Sequence, residues 1–510
     1  MKTKLLFFFL LFCLGSKAQI INIPDAAFKY ALTHGYPNNH GFDTNSDGEI
    51  DQDEANAVTS ININTNTNVH DITGIRQFNN LEYLRLNNTR IYEIDLHDMA
   101  SLKTLICLYN HGTLGSINLS GCSSLEMLTA SVNPVQSLHL SGAVALKEIA
   151  MESTLLEQVD LTGLVNLEKV NFSKSALANV TVGNLPKLKF FRIDQSYSRN
   201  LESLDFSGCP ALETIWADYS GLRSLNVKNL GNLKTIRSNG NRLQSLDISG
   251  NTSLASLFCD YNELESLVMD NTGNLMSLSC NYNKLASLVV NNNKKLKELE
   301  CAYNRIETLD LSDLSTLEQP ERNIDCSHNA LKTLKLQNTE VSHLDASYNA
   351  FIQFDISWHS RLMELNLEQN PKLAYLNMAN LEASPIMDNV NYKLVLDGNY
   401  SLFFVCADSW LVYKVKNYAN SIGLNPKVNE KCQIAPIVAP NPTYDHVVVN
   451  GIENFTLFKL YDISGKLLRY YGSGTNSEYI DLSDFSPGIY LLQMFTESGF
   501  GNDTRKIIKM

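Results

Sequence analysis

Apolar residues in this chain recur on two superimposed periods. Within short runs they alternate with polar residues, the pattern of a half-buried strand. The runs themselves return about every 21 residues: LASLFCDYNEL starts at Leu254, LMSLSCNYNKL at Leu275 and LKELECAYNRI at Leu296. The central apolar position continues through Ile61, Leu84, Leu105, Leu128, Ile149, Val170, Phe191, Ile215, Ile236, Leu257, Leu278, Leu299, Ile324, Leu344 and Leu365, fifteen positions in all. A second apolar pair follows in each unit, as in Leu246/Ile248, Leu267/Met269 and Leu288/Val290. No unit of this length buries its own stripe, so neighbours must stack and share one core. The pattern therefore predicts a mostly β solenoid of about fifteen coils over residues 61–405, without helical runs between the strands.

Each copy of the triplet reads L-x-x-L-x-C-x-Y-N-x-L/I. This resembles the leucine-rich repeat, with cysteine in the third leucine position, and the resemblance implies a horseshoe with a concave strand face. Cys107, Cys259, Cys280, Cys301 and Cys326 share that inward position and are expected to be buried core fillers. Cys122 and Cys209 share another position four repeats apart, too far to bond. Asn133, Asn241, Asn262, Asn283, Asn304, Asn329, Asn349 and Asn370 form a column whose amides can satisfy buried turn backbone. Thr89, Thr154, Ser175 and Ser220 replace it in early coils. Two long steps place insertions at residues 195–200 and 312–322.

The ends follow different patterns. Residues 1–18 carry Lys2 and Lys4, an apolar run and Ser16-Lys17-Ala18, as in a secretory signal peptide, and the apolar run is too short to span a membrane. Residues 19–60 form an α cap with a first helix near Pro24–Leu32 and a second over 52–58. Between them, DTNSDGEIDQDE fits the calcium-loop pattern D-x-[DN]-x-[DN]-G-x5-E and resembles an EF-hand without a pairing partner. The resemblance implies structural calcium held by Asp43, Asn45, Asp47, Glu49 through its carbonyl, Asp51 and Glu54. Residues 406–432 should form a helical end cap, with Ser409 capping a helix from Trp410 to about Ala419, and Cys406 and Cys432 are the pair expected to be bridged.

A proline-rich linker is expected over 433–442, followed by short strands with turn signals. Pro440-Asn441-Pro442, Tyr461-Asp462-x-x-Gly465-Lys466, Pro487-Gly488-Ile489-Tyr490 and Lys506-x-x-Lys509 resemble the type A C-terminal sorting domain of type IX secretion cargo, over residues 436–510. That resemblance implies a small β-sandwich, contact with the type IX machinery, and release or surface attachment outside a Gram-negative bacterium.

Charge narrows the function. With 41 Lys+Arg against 54 Asp+Glu, the net charge of −13 disfavours nucleic acid and anionic membranes as partners. No HExxH, GxSxG or P-loop occurs, and the histidines are scattered, so a non-enzymatic protein is expected; an exported enzyme or enzyme inhibitor using the concave face is the alternative. Outward columns of the repeat define the candidate surface. Arg192, Trp216, Arg237 and Phe258 form one, Asp194, Asp218, Asn239 and Asp260 the next, and Tyr109, Tyr219, Tyr261, Tyr282, Tyr303 and Tyr348 run beside them. Trp, Arg and Tyr gathered on one surface are the usual anchors of binding, so a protein or glycan partner is expected there, on an adhesion-type protein.

Overall fold

A three-residue strand with an apolar centre buries that centre and leaves its two flanks to solvent, and this arrangement repeats coil after coil. The computed structural model describes residues 19–35, 41–64, 68–110, 112–195, 200–312, 314, 322–357, 359, 362–381, 393–430, 437–439, 441, 443–450, 455–472, 477–496 and 502–510. The segment read as a signal peptide lies outside them. Among the described residues, no helix is long and apolar enough to cross a membrane. The chain divides into two units, Met1–Asp345 and Ala346–Met510.

In the first unit, fourteen parallel strands form the main sheet, from Ser60–Asn64 to His343–Asp345. Register is strict: Leu257 pairs with Ile236 and Leu278, and Leu299 pairs with Leu278 and Ile324. Every centre expected from Ile61 to Leu344 is buried. Full burial of each such side chain contributes about 1.5–3 kcal/mol, which a coil standing alone could not gain. Backbone bonding continues past each strand, since Cys259 N donates to Ser279 O, Cys280 N to Glu300 O and Cys301 N to Asp325 O. The second apolar pairs build the opposite wall as short parallel pairs, such as Ser245–Asp247 with Ser266–Val268.

The N-terminal end is closed by two helices. Ala26–His34 starts where Asp25 accepts from the Phe28 amide, and it buries Phe28, Ala31 and Leu32. Gln52–Ala57 starts at a capping box, with Asp51 accepting from Glu54 N and Glu54 accepting from Asp51 N.

The second unit contains two more strands of the repeat, Glu364–Asn366 and Lys393–Val395. Leu394 is thus a further inward centre beyond the fifteen expected. The same unit holds a parallel sheet of Gln353–Asp355, Tyr375–Met378, Phe404–Ala407 and Lys427–Asn429. The helix expected from Trp410 runs over Ser409–Ser421 and buries Leu411, Val415 and Ala419 on one stripe. Asp408, not Ser409, takes the N-cap position, and its carboxylate accepts from Asn380 N instead of the helix. Cys406 is disulfide-bonded. Cys432 lies outside the described residues.

Seven antiparallel strands make a β-sandwich at the C-terminus. Ile437–Ala439, His446–Asn450 and Ser477–Asp481 form one sheet, and Leu467–Gly472, Phe455–Asp462, Gly488–Thr496 and Asn502–Lys509 form the other. Val447, Val449 and Ile480 from the first meet Phe458, Leu460, Leu492, Met494 and Ile507 from the second. Part of the stretch read as a linker is therefore the strand Ile437–Ala439, because Val438 packs against this core. Asn441 accepts from Ile508 N and donates to Lys506 O, which ties the Pro-Asn-Pro motif to the last strand. Lys509 is buried, and its ammonium donates to the carbonyls of Leu482, Ser483 and Phe485.

Candidate functional site

The solvent face of the main sheet is held in place by the asparagine column behind it. Asn262 donates to Ser238 O, Cys259 O and Asp260 O and accepts from Leu243 N. Asn283 does the same one coil on, accepting from Leu264 N. Each amide thus staples its own turn to the coil before it. The residue preceding the asparagine has left-handed backbone in coil after coil, with φ of 53° at Tyr261 and Tyr282, 55° at Tyr303 and 65° at Gly240.

Structure brings the first outward column together as expected. Arg192 pairs in register with Trp216, Trp216 with Arg237, and Arg237 with Phe258. Arg192 lies over the Trp216 ring at 5.0 Å and Arg237 over Phe258 at 5.5 Å. Phe190 meets the Trp216 ring edge-on at 5.5 Å. The second column, read as the next outward column of the candidate surface, is partly spent on the first. Buried Asp194 accepts from Arg192 at 2.5 and 3.2 Å, and buried Asp218 accepts from Arg237 Nε at 3.0 Å. The Asp194 contact and its field push the Arg192 guanidinium above its ordinary value, against the opposing effect of burial. The result is a rigid aromatic patch whose two arginines carry their own counterions.

Farther along, the character changes. Tyr261, Tyr282, Tyr303 and His328 stack in sequence with centroids 4.4, 4.2 and 3.9 Å apart and ring planes nearly parallel. The row stops at Gly240, where the ring of Tyr219 fills the space a β-carbon would occupy. Beside the stack, Ser279 Oγ lies within hydrogen-bond distance of both Asp260 and Glu300, which share its one proton, and Asn281 Nδ2 donates to Glu300. Burial holds the carboxyls of Asp260 and Asp325 above their ordinary value, and neighbouring carboxylates add to it. Asp260 was singled out in the sequence. Glu300 and Asp325 were missed, although they occupy the register position of Phe258. His328 was missed too, because only its place before Asn329 marks it as a member of the tyrosine column.

The candidate calcium loop closes on itself. Asp43 accepts from the amides of Asp47 and Gly48, Asn45 from Asp47, and Asp47 from Glu49. Glu54 accepts from Thr44 N and Oγ1 and from Asn45 N, while Glu49 pairs with Lys29 on the first helix. Among the described residues, no group of three or more His, Cys, Asp or Glu side chains is placed to hold a metal ion. The loop conformation is thus formed, with the carboxylates of Asp43, Asp47 and Glu54 bound to its own amides.

Cys107, Cys122, Cys209, Cys259, Cys280, Cys301 and Cys326 are buried thiols. Burial pushes Cys107 up to about 12 and Cys122 and Cys209 to about 11. A cleft of about 500 Å³ opens on the opposite wall, between Asn179–Thr181 and Ser203–Asp205. Its one acid, Asp205, already accepts from Ser207 N and Asn226 Nδ2.

Strand register, asparagine staples and an outward aromatic lane define a leucine-rich-repeat solenoid, followed in the chain by a β-sandwich. Residues 438–510 match the secretion system C-terminal sorting domain family, as the motifs there imply. Among solved structures, the functional domain of InlJ from Listeria monocytogenes, described as including a cysteine ladder, is similar at 18% identity over 97% of this chain and 99% of its own, with a TM-score of 0.43. The leucine-rich effector YopM from Yersinia pestis is similar at 20% identity over 64% of this chain and 88% of its own, with a TM-score of 0.44. The leucine-rich repeat domain of APL1 shares 14% identity over 74% and 94%, with a TM-score of 0.41. No curated protein matches the chain.

Proposed function

We propose that this is a bacterial protein exported by type IX secretion to the medium or the outer surface of a Gram-negative cell, where it binds a protein or glycan partner and catalyses no reaction. Support for export comes from the sorting-domain match at residues 438–510. The observation that carries the binding role is the patch Arg192, Trp216, Arg237 and Phe258, preorganised by Asp194 and Asp218. Side chains already fixed by neighbours lose little entropy when a partner arrives, so their contact area converts more fully into affinity. Partner capture on the immobilised exported protein tests it. Trp216→Ala with Phe258→Ala should release the captured partner with the fold intact; retention of the same partner would refute this site.

Structural calcium at Asp43, Asn45, Asp47, Glu49, Asp51 and Glu54 belongs to the same proposal, supported by the complete oxygen pattern. Bound there, the ion would draw the carboxylates off the loop amides and neutralise their mutual repulsion. At an extracellular-type affinity near 0.1 mM, millimolar calcium would stabilise the cap by about 1.4 kcal/mol. Equal melting temperatures in calcium and in chelator would rule the site out.

A further inference from the structure

Lysine–glutamate ion pairs recur along the main sheet's border. Just before the strands, Lys103 pairs with Glu82, Lys147 with Glu126, Lys189 with Glu168 and Lys234 with Glu213, at 2.6–2.9 Å. Asp260, Glu300 and Asp325 break that habit. Their donors among the described residues are neutral: Ser279 Oγ, Asn281 and the Ser327 amide. Next to them runs an aromatic row whose tyrosines are 40–54% exposed. The row also sits on left-handed backbone, with φ of 51–55° at Tyr261, Tyr282, Tyr303 and His328, where a glycine serves in the coil of Gly240.

We propose that Tyr261, Tyr282, Tyr303 and His328, with Asp260, Glu300 and Asp325 alongside, receive an extended arginine- or lysine-rich segment of a partner protein. The proposal rests on the reading that the main-sheet face binds partners, and it names the partner's chemistry. The faces of Tyr282 and Tyr303 are taken up by their neighbours in the stack, so the row offers a cation its hydroxyl oxygens. A guanidinium or ammonium that donates to a tyrosine hydroxyl can also pair with a neighbouring carboxylate, so one side chain uses both features. An acidic glycan would meet uncompensated negative charge. A single metal ion would need carboxylates converging on one point, and no such group occurs among the described residues. The three steps from Tyr261 to His328 span about 14 Å at ~4.8 Å per coil, the length of about four extended residues.

The test is fluorescence anisotropy of a labelled peptide of alternating arginine and glycine against the exported protein. Binding should be saturable and should weaken steeply between about 50 and 500 mM salt. Glu300→Gln with Asp325→Asn, and separately Tyr282→Ala, should each weaken it about tenfold or more. Glu265→Gln with Asp270→Asn removes the same charge beside the opposite wall and should leave binding unchanged. The proposal is overturned if the strip variants bind as the parent does or if the control pair loses as much. Equal binding of a glutamate–glycine peptide, or competition by a neutral glycan instead, also overturns it. Loss confined to Trp216→Ala with Phe258→Ala would overturn the strip while leaving the wider partner-binding reading in place.

Discussion

Asn283 is the sharpest place to test how the face is held. Its amide makes four bonds: Oδ1 accepts from Leu264 N at 3.0 Å, and Nδ2 donates to the carbonyls of Cys259, Cys280 and Asn281 at 3.0–3.1 Å. The carbonyls are doubly served, since Cys259 O also receives Asn262, Cys280 O receives Asn304, and Asn281 O receives the Tyr261 amide. Leu264 N is the group left stranded. In Asn283→Ala that buried donor loses its acceptor, a cost of about 1–3 kcal/mol, and the net worth of the other bonds adds about 1 kcal/mol. Asn283→Asp keeps the acceptor but turns a carboxylate toward three carbonyl oxygens, so it should be worse than alanine. Asn283→Ser should be mildest, because Ser220 at the equivalent position donates to Ile193 O and Asp218 O. A solenoid need not unfold in one step, so the readout is amide exchange at Leu264 and Tyr261 rather than one global midpoint. Exchange at Leu264 unchanged in Asn283→Ala, or aspartate tolerated better than serine, would refute the staple.

Two further outcomes concern ionisable groups. Burial first, then the fields of Asp345 and Glu300, hold the Asp325 carboxyl above its ordinary value, so the folded state binds this proton more tightly than the unfolded state. Stability is then lost as pH rises from the ordinary carboxylate range through the raised value. Asp325→Asn should therefore raise the melting temperature at neutral pH, with the gain closing below about pH 4; a pH-independent difference would contradict the argument. The buried thiols, Cys259, Cys280 and Cys301 among them, should resist alkylation in the native protein and react together on unfolding, because burial suppresses their thiolates. Fast labelling of any one under native conditions would place it outside the core.

Period and alternation determined the solenoid. A polar residue at an inward strand position would be stranded in the core, so the centres from Ile61 to Leu365 had to be apolar and could be read one by one. The asparagine column was legible for the same reason, since few side chains can serve a donor and an acceptor in one buried turn. Tertiary structure alone decided how the exposed residues use each other. Asp218 reads as an exposed carboxylate beside Trp216, yet it is buried under Arg237, because an outward column meets the next coil's column at strand spacing. Glu300 and Asp325 look unremarkable along the chain, 25 residues apart and in different coils. Stacking makes them neighbours on one face, since contacts across a solenoid join residues that the repeat separates. The sequence thus determined which residues line each wall. Which charges are matched, and which stand beside the tyrosine stack without a cation among the described residues, followed only once the coils were packed.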